Sequence, residues 1–276
     1  MNEPNHMRRI VIASLVVSAI ATPIVVAVIA PTLPPGTGST AASGQVFDNT
    51  VLLGIVTPIA AAILVYFAYS LVVFRRRDSE PQQEGVAIRD DSRVHTSWLV
   101  VTTIIVTFLA VFGTIQLADA GAGGGQGPSP EFRPSGKTLP VQVIAQQWQF
   151  TYRFPTFGGV ETAQLELPIH RQIEFHVTSL DVIHSFWAPK LGIKADANPG
   201  VDNIAFTEPT KEQEFEVHCS ELCGLWHGYM FSSGKVVSNG AFLAWVHHQQ
   251  RVYAPATKKL PKFATHYFPE PERRGG

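Results

Sequence analysis

Hydrophobic positions along the chain fall into two regimes that change over near residue 120. Before it they form long unbroken runs: Ile10–Ala30, Val51–Phe74 and Trp98–Ala118, none interrupted by Asp, Glu, Lys or Arg. A helix with one wet face repeats its apolar residues with a 3.6-residue period. These runs are apolar on every side, so lipid is the better solvent. At about 1.5 Å per residue, Val51–Phe74 would reach about 36 Å, more than the roughly 30 Å of a bilayer hydrocarbon core. The second and third runs are therefore predicted to span a membrane. Arg8 and Arg9 precede the first run, as in a secretory signal, but its 21 residues exceed the usual apolar core of about 7–15. Small-residue cleavage sites are available at Ala27–Ala30, followed at once by Pro31, and near Ala41-Ala42-Ser43. Residues 1–43 read as a signal peptide or signal-anchor helix. Residues 44–120 read as a two-helix transmembrane hairpin with a cytoplasmic loop at 75–97.

Orientation follows from where the cations sit. The stretch Pro31–Thr50 contains no Lys or Arg, whereas Arg75, Arg76, Arg77, Arg89 and Arg93 fall between the second and third runs. Positive charge stays on the cytoplasmic side. Everything after Ala118 is then extracytoplasmic, facing the periplasm or cell wall of a bacterium.

Beyond residue 120 the period changes. Gly121–Pro128 is Gly-rich and opens a linker expected over 121–137. Short β-type runs follow: Val141–Ala145, the aromatic stretch Trp148–Phe154, Ala163–Leu167, Ile173–Thr178, Asn203–Thr207, Glu212–His218 and Met230–Val237. Several alternate apolar and polar residues, and Gly, Pro and Asn turns separate them, which is the pattern of an antiparallel sandwich or barrel. Ala241–Arg251 reads as a closing amphipathic helix. A domain is expected over 138–252, with a tail at 253–276 carrying Lys258, Lys259 and Lys262. The predicted class is membrane-anchored all-β.

Composition narrows the function. Charged residues are 16%, against about 25% in ordinary soluble proteins, with 45% hydrophobic residues, as expected when the apolar residues are bunched. The balance of 21 Lys/Arg against 22 Asp/Glu gives no basic excess for nucleic acid. Two cysteines exclude a disulfide-rich scaffold.

Those two cysteines sit in the densest chemistry of the chain, Cys219-Ser-Glu-Leu-Cys223-Gly-Leu-Trp-His227-Gly-Tyr-Met230. Two thiols, an imidazole and a thioether fall within twelve residues, and His184 lies upstream in Asp181-Val-Ile-His184-Ser-Phe-Trp187. Soft sulfur ligands with imidazole suit copper. A blue-copper site uses one Cys, two His and a weak Met; a second thiolate lets two sulfurs bridge two copper ions, with one His on each. Met230 and a backbone carbonyl are then available as weak axial ligands. With no open coordination position left over, that is electron-relay chemistry. The rival readings are a Cys219–Cys223 disulfide in an oxidising compartment and a structural zinc on both Cys and both His. Zinc has no use for Met230.

The run Cys219–Met230 resembles the dinuclear copper (copper A) loop of cytochrome c oxidase subunit II. Asp181–Trp187, Lys194-Ala-Asp-Ala-Asn-Pro-Gly200 and Gln147-Trp148 fit the same family, and the resemblance spans roughly Gln45 to Trp245. It implies a helical hairpin followed by a cupredoxin-like Greek-key barrel. It further implies copper binding by His184, Cys219, Cys223, His227 and Met230, with Glu221 giving its backbone carbonyl and its side chain reaching a magnesium ion at the contact with subunit I. Trp148 matches the residue where electrons from cytochrome c arrive, and Asp181 a supporting residue beside His184. The implied partners are cytochrome c, the haem- and copper-bearing subunit I, subunit III and the lipid bilayer, with oxygen reduced and protons pumped elsewhere in the complex. The copper subunit of a nitric oxide reductase and a membrane-anchored copper chaperone are the alternatives; a quinol oxidase subunit typically lacks the thiols.

His218 is expected on the opposite strand face from Cys219, as a non-ligand, and His170, His176, His247 and His248 as surface or core. From Glu131 to Gln250 there are 8 Lys/Arg against 12 Asp/Glu, a net of −4. Such an acidic face would steer a basic cytochrome. One departure stands out. The family commonly places a Glu for proton uptake just before a Trp-Thr-x-x-Pro pattern; here Trp98 is followed by Leu-Val-Val-Thr102 and His95 stands nearby. Either proton uptake does not run through this chain, or it falls to His95, Asp90 or Asp91.

Overall fold

A computed structural model describes residues 5–75, 91–119 and 138–257. The linker expected at 121–137, most of the loop expected at 75–97 with Asp90, and the tail from 258 onward lie outside the described residues. The chain divides into two compact units, Met1–Ala30 with Thr50–Ala120, and Pro31–Asn49 with Gly121–Gly276.

In the first unit the apolar runs form α1 (His6–Ile24, carried on by a wider turn over Val25–Ile29), α2 (Thr40–Val73) and α3 (Ser92–Asp119). The segments His6–Thr32, Thr40–Val73 and Ser92–Ala118 are each long and apolar enough to cross a membrane. Almost none of their apolar surface is buried within the chain, which leaves it for lipid. Short polar side chains start the helices: Asn5 Oδ1 accepts the Arg8 N–H at 3.0 Å, and Asp91 Oδ1 accepts those of Arg93 and Val94. Asp91, a candidate for proton uptake on sequence grounds, is thus engaged as a cap. Between α1 and α2, Ser18 Oγ donates to the Pro58 carbonyl and His6 Nδ1 meets the Tyr69 hydroxyl at 2.7 Å.

The second unit is a two-sheet sandwich. Its strands are β1 (Leu139–Gln146), β2 (Gln149–Phe154), β3 (Val160–Thr162), β4 (Leu165–Pro168), β5 (Ile173–Ser179), β6 (His184–Ala188), β7 (Ile193–Ala197), β8 (Asn203–Thr207), β9 (Gln213–Cys219) and β10 (Phe231–Val237), closed by α4 (Asn239–Thr257). One sheet has the order β3-β2-β1-β5-β8 and the other β4-β10-β9-β6-β7. This is the cupredoxin-like arrangement that the resemblance implies. Two neighbouring pairs, β1–β5 and β4–β10, run parallel rather than antiparallel. Alternation fixes which face is buried, not strand direction, so the sequence pattern could not separate the two. It also missed β3, β6 and β7, which have only three to five residues each.

Phe186 of β6 ties the sheets together. It is fully buried and meets Phe150, Tyr152 and Phe175 at ring separations of 5.8, 6.3 and 5.3 Å. Burying one such side chain contributes about 1.5–3 kcal/mol. Phe242 and Val246 of α4 close one end of this core against Phe154 and Phe157.

The chain between α1 and α2 is part of this unit and not a free loop. Ser39 pairs with Pro209 as an isolated antiparallel bridge, Thr40 N–H donates to Glu208 O, and Thr210 N–H donates to Gly38 O. Buried Ser39 caps α2 by accepting the Ala42 N–H and donates its own hydroxyl to Leu191 O at 2.7 Å. For this reason α2 starts at Thr40, inside the polar stretch read as loop. Gly192 makes room for the strap: its φ is +65°, and a Cβ there would lie 2.5 Å from Ala42 N.

Candidate metal centre

Strand pairing builds the site. Phe186 of β6 is opposite Cys219 of β9, so His184, which opens β6, and Cys219, which ends β9, reach the same end of the sandwich. From Cys219 the chain turns through eleven residues and returns as β10, with the Cys219 N–H donating to Met230 O at 3.0 Å. The loop tightens at Gly224 (φ +112°), where a Cβ would lie 3.1 Å from Gln147 Nε2 and 3.4 Å from the Trp148 ring. A helical turn at His227–Tyr229 then brings His227 and Met230 inward.

Six donor atoms converge. Cys219 Sγ and Cys223 Sγ are 3.7 Å apart and unbonded, far beyond the roughly 2.05 Å of a disulfide. His184 Nδ1 lies 3.8 Å from Cys219 Sγ, and His227 Nδ1 lies 3.5 Å from Cys223 Sγ. Met230 Sδ is 3.8 Å from Cys223 Sγ, and the Glu221 carbonyl oxygen is 3.2 Å from Cys219 Sγ. The donor atoms of His184, Cys219 and Cys223 all lie within 4.8 Å of one another. His184, both cysteines and Met230 are buried, while the Glu221 side chain is exposed. Two thiols, two imidazoles, a thioether and a carbonyl are a copper-compatible donor set. A tetrahedral zinc would leave Met230, buried and aimed at Cys223, without a role.

Charge is arranged around the sulfurs. Burial opposes ionisation of Cys219, but the His184 imidazole beside it and nearby main-chain groups outweigh that and bring its thiol down to about 6. Burial and the adjacent Cys219 sulfur push Cys223 up to about 12. Burial disfavours charge on His184, yet Cys219 and Asp181 together raise its pKa. Asp181 Oδ1 meets His184 Nε2 at 2.9 Å, which leaves Nδ1 to face the sulfurs. Partial burial works against the Asp181 carboxylate, but the N–H groups of Gln147 and Val182 and the His184 ring hold it below the usual range.

Trp148 sits in the turn between β1 and β2, half-buried, and its Nε1–H donates to Cys223 O at 3.1 Å. Gln147 Nε2 donates to the same oxygen at 2.9 Å, and the Gln147 main-chain N–H donates to Asp181 Oδ2 at 2.7 Å. In the sequence Gln147 stands out only as part of the Gln147-Trp148 motif. Of the other histidines, His218 lies on the outward face with its ring near Trp187 and Nε2 on Glu216. His176 is buried between Asp202 and Glu174, away from the sulfurs in sequence and sheet. Leu222, Leu225, Tyr229 and Phe231 form an exposed apolar rim on and beside the loop.

The sequence profile for the periplasmic domain of cytochrome c oxidase subunit II matches residues 161–237, which include His184 and the whole Cys219–Met230 loop. Residues 161–237 thus carry the periplasmic domain of the cytochrome c oxidase subunit II family. Among its relatives, cytochrome c oxidase subunit 2 of Alkalihalophilus pseudofirmus is 27% identical over 82% of this chain and 64% of its own length. The subunit of Thermostichus vulcanus is 33% identical over 46% of this chain and 38% of its own. The chain thus spans under two thirds of these relatives. The crystal structure of the periplasmic domain of subunit II from Bradyrhizobium japonicum is 30% identical, with a TM-score of 0.41 over 42% of this chain and 95% of that one.

Proposed function

We propose that this chain is the subunit of a respiratory cytochrome c oxidase through which electrons enter, receiving them from cytochrome c and passing them to the haem of subunit I for reduction of oxygen to water coupled to proton pumping. The observation that carries the proposal is the pair of sulfurs 3.7 Å apart with one imidazole on each. His184, Cys219, Cys223, His227, Met230 and the Glu221 carbonyl are the residues that would hold a dinuclear copper centre (copper A). When bound, such a centre supplies a one-electron carrier whose charge is shared over two metals, so little rearrangement accompanies transfer.

The protein's own residues prepare that task. Asp181 fixes the His184 tautomer, and the sandwich buries the sulfurs so that water is excluded from them. The Trp148 indole is one hydrogen bond from a ligand residue, a short route for an electron arriving at the surface. The exposed Leu222, Leu225, Tyr229 and Phe231 are suited to cover by a partner such as subunit I, with the Glu221 carboxylate available to magnesium at that contact. Subunit III completes the proposed complex. The three apolar helices suit a multi-pass position in a bacterial cell membrane, with the copper domain outside. In that scheme residues 1–43 hold the first helix, 44–120 the hairpin and 138–252 the copper domain.

The test is purification of the full chain with its partners from native membranes. A haem-bearing subunit that co-purifies, and oxygen uptake driven by reduced cytochrome c, is the expected result. Activity with quinol but not cytochrome c, or consumption of nitric oxide in place of oxygen, would overturn the assignment.

A further inference from the structure

The two halves of the centre come from separate parts of the sandwich: His184 from β6, and Cys223 from the loop after β9. Gln147, outside the donor set, reaches the Cys223 half directly and the His184 half through Asp181. Gln147 donates its side-chain amide to Cys223 O at 2.9 Å, and its main-chain N–H goes to Asp181 Oδ2 at 2.7 Å. The other oxygen of Asp181 holds His184 Nε2 at 2.9 Å. We propose that Gln147 is a positioning residue, which keeps Cys223 and His184 in register by anchoring the Cys223–Gly224 peptide on one side and the Asp181 carboxylate on the other.

Three observations support this role. Gln147 is exposed as a residue and contributes little to the core, so packing does not explain its two bonds. Gly224, with φ +112°, lets the loop backbone approach so closely that even a Cβ would lie 3.1 Å from the Gln147 amide nitrogen. Trp148 donates to the same Cys223 oxygen, which therefore accepts two N–H groups at once. Two donors on one carbonyl fix the plane of the peptide that follows Cys223, and with it the direction of the Cys223 side chain. Two N–H dipoles ending on the Cys223 carbonyl also set positive potential beside that ligand residue, which favours the more electron-rich state of whatever it holds.

This inference rests on the copper reading, but part of its test does not. Gln147→Met keeps the length of the side chain and removes the donor; Gln149→Met, on exposed Gln149 two residues away, is the control. Amide hydrogen exchange is followed in the metal-free full chain. Loss of one neutral hydrogen bond predicts exchange in residues 219–230 about 3–10-fold faster in Gln147→Met, with β1 and β5 unchanged. The copper-loaded protein then reports the consequence: an altered copper spectrum and a lower reduction potential in Gln147→Met but not in Gln149→Met. Unchanged loop exchange overturns the proposal. So does equal acceleration throughout the sandwich, or a loosened loop with copper spectrum and potential unaltered. If neither variant nor the parent binds copper while the loop still loosens selectively, the anchoring of Cys223 stands and it is the copper reading that fails.

Discussion

Replacing Gly192 by Ala tests how firmly the strap before α2 belongs to the sandwich. Gly192 has φ +65°, where an L residue costs about 1–2 kcal/mol. Its new Cβ would also lie 2.5 Å from Ala42 N and 2.8 Å from Ala41 C, backbone atoms that cannot swing aside. The strap must then lift, and the buried Ser39 hydroxyl loses its 2.7 Å bond to Leu191 O. A buried polar group left without a partner costs about 1–3 kcal/mol. Together these predict a loss of about 2–5 kcal/mol. Gly200 supplies the control, since it has φ +74° with no atom near its missing Cβ, so Gly200→Ala carries the backbone strain alone, about 1–2 kcal/mol. Urea unfolding of the full chain, followed by near-ultraviolet circular dichroism, gives both values. Gly192→Ala no more destabilising than Gly200→Ala would refute the reasoning.

Three further outcomes are expected. A Trp148→Phe variant loses the donor to Cys223 O and should slow reduction by cytochrome c several-fold in stopped flow, with metal content unchanged. Lowered Cys219 and raised Cys223 mean that the metal-free chain holds one thiolate above about pH 6 and gains no second at neutral pH. Ultraviolet thiolate absorbance should show that single step, and Cys219→Ser should abolish it. Because Ser39 in the strap accepts the Ala42 N–H in the first turn of α2, cleavage near Ala41-Ala42-Ser43 would separate the cap from its helix. Amino-terminal sequencing of the membrane-bound protein should therefore find Gly38 and Ser39 still joined to α2.

Much of this was legible in the sequence, for identifiable reasons. Lipid tolerates few residue types, so Val51–Phe74 and Trp98–Ala118 announce their solvent by composition alone. The donor set was legible because two thiols, an imidazole and a thioether within twelve residues have few other uses. The strands β6 and β7 were not, since five residues are too few for a period; β6 stands out in the sequence only through His184. Least legible were contacts between short polar residues far apart in the chain. Ser39 meets Leu191 across 152 positions, and Gln147 meets Cys223 across 76, without any local signature. The helix start at Thr40 was hidden for the same reason, because its cap is held in place by the sandwich.

The most direct measurement is the electron paramagnetic resonance spectrum of the full chain after loading with copper, read together with its metal count. Two copper ions per chain and a seven-line hyperfine pattern, lost in Cys223→Ser while circular dichroism shows the sandwich intact, is the predicted result. One copper per chain with four lines would contradict the account, because Cys219 and Cys223 would then not be holding two metals as a single redox unit.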